Sequence, residues 1–121
     1  MSLAAIGDGP NGSLVFGFET KGMIKMAQFD TATAKLSAVS TIAGSGPSKA
    51  RFPALAVDGH GRTLMAWVRG AAWKKGGLLA WQLVGADNQP INTMSGGGQS
   101  VETWSFPAVV HETPNKFLVI Y

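Results

Sequence analysis

Apolar residues fall in short runs along this chain, at residues 3–6, 14–18, 23–29, 54–57, 63–68, 78–84, 108–110 and 117–121. Clusters of Gly, Pro, Asn, Asp and Ser separate the runs. Runs this short, bounded by residues that supply positive or preset φ, predict β-strands joined by tight turns. Residues 31–40 come nearest to a helical pattern. Thr, Val and Ser are common there, and the segment aligns with a hairpin further along, so it reads as turn plus strand.

The runs recur. Phe52-Pro53-Ala54-Leu55 returns 54 residues later as Phe106-Pro107-Ala108-Val109. The same offset carries Leu64-Met65-Ala66-Trp67 onto Leu118-Val119-Ile120-Tyr121, and Gln28 onto Gln82. A weaker first copy has Leu3-Ala4-Ala5-Ile6, a turn through residues 7–12, and then Leu14-Val15-Phe16-Gly17-Phe18 in the place of residues 64–67. Each copy reads as four strands. Strand one covers 3–6, 54–57 and 108–110, strand two 13–19, 63–68 and 117–121, and strand three 23–29 and 78–84. Strand four covers 36–42 and 91–94, and a Gly/Ser-rich link containing Gly96-Gly97-Gly98 follows it.

Four-stranded units at this period predict an all-β fold, a β-propeller of about two and a half antiparallel blades. The single partial propeller spans 1–121, with blade one at about 3–46, blade two at about 52–98 and a half blade at about 106–121. Strand two is nearly all apolar, as expected of a middle strand buried on both faces. A two-sheet sandwich explains the strands but not the recurrence of Phe-Pro-Ala. Propellers close with about four to eight blades. The chain is therefore expected to self-associate, or to take additional blades from a longer chain.

Composition narrows the function. With 45% hydrophobic and 14% charged residues the chain is too apolar for disorder. It also has no unbroken apolar run of the roughly 18 residues that a membrane helix needs. The net charge is +3, but the ten basic residues are dispersed, against a nucleic-acid surface. There is no cysteine, hence no disulfide or thiolate site. His60 and His111 lie far apart with no third ligand at suitable spacing, so no metal site is expected. Gly96-Gly97-Gly98 lacks the Lys-Ser/Thr of a phosphate loop, and no cofactor is implied. Asp8, Asp30, Asp58 and Asp87 fall in turns, where Asp bonds its own backbone. Glu102 is left without the second carboxylate that glycoside hydrolysis needs.

Strand polarity sorts the loops. Links into strand one and the two-to-three hairpins share one end of the sheets, and the other turns, with His60, share the opposite end. The first end gathers Arg51, Arg69, Trp73, Lys74 and Trp104, the candidate ligand-binding residues. Arg and Lys suit carboxylates and phosphates, and Trp faces suit sugar rings. A glycan or a protein partner is the expected ligand.

Arg51-Phe52-Pro53-Ala54-Leu55, followed by Gly61-Arg62-Thr63-Leu64-Met65-Ala66-Trp67-Val68-Arg69, resembles the Arg-Ile-Pro-Ala-Leu motif and following strand of the sialidase (neuraminidase) superfamily. That superfamily includes many non-catalytic BNR-repeat-like propellers. The resemblance implies that Arg51 belongs to an arginine triad holding a sialic acid carboxylate, with Arg69 as a nearby cation. Three departures argue against an enzyme. Ser105 replaces Arg51 in the next copy, the Ser-x-Asp-x-Gly-x-Thr-Trp box is missing, and 121 residues leave no room for the family's Tyr/Glu pair and remaining arginines. The expectation is a non-catalytic binding or scaffold module, secreted or at the cell surface or periplasm. The alternative is a fragment of a sialidase-like glycoside hydrolase with Arg51 on a substrate carboxylate.

Overall fold

The computed structural model describes the backbone of residues 2–8, 12–44 and 46–121, and the side chains of 12–44 and 46–121. The middle of the predicted first turn, at residues 9–11, lies outside the described residues, as do the side chains of the first strand. Among the described residues the fold is all-β, with no α-helix.

Sheet one contains β1 (Ser2–Asp8), β2 (Leu14–Thr20), β3 (Met23–Asp30), β4 (Lys35–Leu36) and β5 (Ser40–Ala43). Sheet two is the meander β6 (Ala50–Val57), β7 (Thr63–Arg69), β8 (Gly77–Val84) and β9 (Pro90–Val101). Sheet three is the hairpin β10 (Ala108–Thr113) and β11 (Lys116–Ile120). Every pairing is antiparallel. The segments around Trp67 and Tyr121 belong to different sheets.

The core consists of two seams, one on each face of sheet two. In the first, Val15, Ile24 and Met26 of sheet one pack with Leu55, Met65, Trp67, Ala80 and Val84 of sheet two. In the second, Ala66, Val68, Leu79 and Val101 of sheet two pack with Ala71, and Val109 and Val119 of sheet three lie against them. Alternate residues of a strand point to opposite faces, so Met65 and Trp67 serve one seam while Ala66 and Val68 serve the other. This is why every residue of β7 but the last is buried. An all-apolar strand fits only where both faces are covered.

The register corrects the sequence match in the first copy. Sheets stacked in one sense point equivalent residues the same way. Met65 points at sheet one and Val119 at sheet two, which agrees with the 54-residue offset. Val15 points at sheet two, as Ala66 points at sheet three, so Val15 is out of step with Met65. Gln28 and Gln82 fail the same test. Gln28 lies opposite Val15, and its Nε2 donates to Asn88 Oδ1 of sheet two at 2.6 Å. Gln82 lies opposite Met65, and its Nε2 donates to the carbonyls of Leu83, Ile91 and Met94 in its own sheet. A slip of one residue exchanges the two faces of a strand.

Strand four differs from expectation in both copies. In sheet one it splits at residues 37–39 into β4 and β5, each pairing with β3. In sheet two it runs on through Gly96-Gly97-Gly98 to Val101, where a link was expected. Gly96 sits opposite Trp81. A Cβ there would lie 2.8 Å from the indole Cζ2, so the glycine lets the ring rest on the β9 backbone. Gly97 has φ of 134°, and a Cβ would run into the Leu79 carbonyl. These glycines permit close approach within a strand and do not end it.

Candidate binding site at the loop end

Four connections meet at one end of the sheets. The β2–β3 hairpin turns on Lys21 and Gly22, with φ of 53° and 78°, the positive values that a two-residue hairpin loop favours. The Gly22 carbonyl accepts from the Ala50 amide at 2.8 Å, and the Lys49 carbonyl accepts from the Gly70 amide at 2.9 Å. The link into β6 is thus held between the β2–β3 hairpin and the β7–β8 loop.

The β7–β8 loop folds back on itself at Ala72 and Lys75, whose backbones exchange hydrogen bonds of 3.2 and 3.0 Å. Trp73 and Lys74 form its tip, and Trp73 is 77% exposed. The link into β10 makes its own turn, closed by the Ser105 amide donating to the Glu102 carbonyl at 3.1 Å. That turn holds Trp104 at φ of 68° and leaves it 59% exposed. The two indoles meet edge to face, centroids 4.9 Å apart and planes at 87°. They present a joined aromatic surface to solvent.

Next to this pair lies a cleft of about 520 Å³ lined by Arg69, Lys75, Glu102, Thr103, Ser48 and Ser100, with the backbone of three glycines. Thr103 directly precedes Trp104, and Lys75 closes the Trp73 turn, so cleft and indole pair are continuous along the chain. Arg69, Lys74 and Lys75 have no ion-pair partner among the described residues. The cleft therefore offers unpaired cations, three hydroxyls and one carboxylate. It suits binding of an anionic, hydroxyl-rich ligand better than acid–base chemistry.

The candidate residues divide into three places. Arg69 lines the cleft. Trp73 and Trp104 touch one another, with Lys74 exposed at the same tip. Arg51 stands apart: it pairs with Val68 in the β6–β7 ladder and does not line the cleft. Its Nε is buried without a hydrogen-bond partner. The residue after it, Phe52, has φ of 57° within an irregular stretch of the ladder between Arg51 and Ala54. Ser48 and Ser100 went unseen in the sequence. Ser100 lies near the end of β9, beyond the strand expected there, and Ser48 carries no signal of its own.

The opposite end holds a structural ion pair. Asp58 Oδ1 accepts from the amides of His60 and Arg62, each at 2.9 Å, and Asp58 Oδ2 accepts from Arg62 Nε at 2.7 Å and Nη2 at 2.6 Å. Burial alone would raise the Asp58 pKa. The Arg62 and His60 amides and the Arg62 guanidinium together outweigh it, holding the carboxyl below the usual aspartate value. Arg62 Nη2 also donates to the Pro114 carbonyl at 3.2 Å and Asn115 Oδ1 at 3.1 Å, tying sheet two to the β10–β11 turn. Asp30 and Asp87 accept from amides two residues ahead, as their turn positions predicted.

Among the described residues no three His, Cys, Asp or Glu side chains cluster as metal ligands. Among the described residues no helix is long and apolar enough to cross a membrane. No protein-family model, curated protein or solved structure matches the chain.

Proposed function

We propose that the three sheets are consecutive blades of a propeller-type module, and that its loop end binds a carboxylated glycan. Two features support the architecture. The sheets share one strand order, and β6 lies against β1 and β10, so the first strands stand side by side. The outer face of sheet three, where Val110, Leu118 and Ile120 are exposed, is the counterpart of the sheet-two face that sheet three covers. A further blade, or sheet one of a second copy, is its expected cover.

The observation that carries the binding reading is the exposed Trp73–Trp104 pair beside unpaired Arg69 and Lys75. The indoles supply flat apolar surface for a sugar ring, and the cations supply charge-assisted hydrogen bonds to a carboxylate. Arg51, half-buried with its Nε unpartnered, sustains the second reading, in which a sialidase-like site holds its substrate carboxylate on this arginine. A secreted or cell-surface location goes with either ligand.

Titration of the protein with sialylated, uronate-containing and neutral oligosaccharides, followed by tryptophan fluorescence and calorimetry, tests the proposal. Acidic sugars are expected to bind and neutral ones to bind at least tenfold more weakly. Arg69→Met and Trp73→Ala are each expected to weaken binding about tenfold, or about 1.4 kcal/mol. Equal binding of neutral sugars refutes the role given to the carboxylate, and no binding by any of the sugars refutes the glycan reading and leaves a protein-binding scaffold. Loss on Arg51→Met but not on Arg69→Met favours the sialidase-like arrangement.

A further inference from the structure

We propose that the cationic loop end is a track for an internal stretch of a linear polyuronate, running from the β2–β3 hairpin across the link into β6 to the β7–β8 loop. The proposal rests on the glycan reading above and specifies the ligand. It is a chain of acidic sugars held at several carboxylates at once, and not a single terminal residue.

The first observation is a sorting of charge. Along the sequence the ten basic residues are dispersed, but folding brings six of them to this end: Lys21, Lys49, Arg51, Arg69, Lys74 and Lys75. Glu19 and Glu102 are the carboxylates there, whereas Asp30, Asp58, Asp87 and Glu112 belong to the opposite turns. Glu19 is already engaged, accepting from the Gly22 amide at 2.7 Å. Among the described residues none of the six cations has an ion-pair partner. Unpaired like charges gathered at one end repel one another, and an anionic ligand relieves that repulsion.

The second observation is that these cations form a row on a pinned backbone. Lys21 adjoins Gly22, whose carbonyl accepts from the Ala50 amide at 2.8 Å. Lys49 precedes Ala50, and its own carbonyl accepts from the Gly70 amide at 2.9 Å, next to Arg69. A Cβ on Gly22 would lie 2.8 Å from Lys49 Cγ, so the Lys49 stem rests on the hairpin. Ser48 then lines the cleft together with Arg69 and Lys75. Lys21, Lys49, Ser48, Arg69 and Lys75 are all exposed. The row crosses the seam between sheets one and two, and stacked sheets stand about 10 Å apart. A single sugar beside Trp73 engages Arg69 and Lys75 and leaves Lys21 and Lys49 unused; a chain of sugars spans them all. One exposed cation contributes little by itself. Carboxylates carried on one chain meet successive cations at high effective concentration, so the small contributions add.

Calorimetry on the full chain tests the track, with linear oligogalacturonates of two, four and eight units as probes. The octamer is expected to bind about a hundredfold more tightly than the dimer, with a steeper loss in salt. Lys21→Gln combined with Lys49→Gln, both at exposed positions and checked by a thermal melt, is expected to remove most of that gain and leave dimer binding unchanged. A gain that came only from the extra registers of a longer chain would survive the double variant. Arg69→Met is expected to weaken dimer and octamer alike. Three results would each overturn the proposal. They are an octamer no tighter than the dimer, a double variant that keeps the octamer's gain, and a single-stranded oligonucleotide of equal charge that binds as tightly as the octamer. The first two, with dimer binding intact, leave the glycan site standing without the track. Absence of binding at every length removes both.

Discussion

Phe52 and Phe106 meet edge to face, ring centroids 4.7 Å apart and planes at 73°. They occupy the same place in successive copies of the repeat, so one sequence position makes contact with itself across the seam between sheets two and three. Phe52 reaches this contact from a positive φ of 57°, a costly conformation for a bulky side chain. Aromatic pairs of this kind contribute about 0.5–1.5 kcal/mol beyond area burial. A double-mutant cycle with Phe52→Ala and Phe106→Ala, read by denaturant unfolding, is expected to give coupling in that range. Additive effects would mean the rings are neighbours without interaction.

Among the described residues, Asp58 is the carboxylate whose loss most threatens the fold. Its side chain is fully buried, and Arg62 links it to the β10–β11 turn. Removing one partner of a buried pair typically costs about 3–5 kcal/mol. Asp58→Ala is expected near the lower end, because Arg62 is partly exposed and can be rehydrated.

The same residue sets a pH dependence. The folded pKa of Asp58 is depressed, so its contribution is present above the unfolded aspartate value of about 3.9. It is lost as pH falls through the lower folded value. Unfolding curves measured downward from pH 5 should lose stability more steeply in the natural protein than in Asp58→Asn. Parallel curves would assign the acid sensitivity elsewhere.

The β9 glycines make separable predictions. Gly97→Ala should cost more than Gly96→Ala, because its φ of 134° is disfavoured for any Cβ and the Leu79 carbonyl is rigid. The cost of Gly96→Ala should shrink in a Trp81→Ala background, since the indole is what a Cβ at Gly96 would strike. Thermal melts of the four variants check both statements.

Thr63 offers a stabilising change. It is fully buried on β7, and its hydroxyl has no hydrogen-bond partner. An unsatisfied buried polar group costs about 1–3 kcal/mol. Thr63→Val keeps the branched shape and removes the hydroxyl, and should raise stability by about 1 kcal/mol. A decrease would mean that the hydroxyl is hydrogen-bonded to water.

Much of the local structure was legible in the residues. β7 reads as doubly buried because 63–68 contains no charge, and it is. Asp30, Asp58 and Asp87 read as turn residues because a short carboxylate bonds its own backbone, and they do so. The loop end could be grouped from strand alternation alone. Arg51 shows where this stops: its place in the chain suggested the cationic end, but the pairing with Val68 keeps it out of the cleft.

Sequence alone was enough to set the all-β class, the strand and turn succession and the repeat, because alternation and turn chemistry act over a few residues. Tertiary structure decided which face of β2 meets sheet two, that β9 continues through three glycines, and that Trp73 touches Trp104. Each depends on what lies across a seam or a ladder. Local propensity carries no information about the partner, and a shift of one residue reverses every side chain.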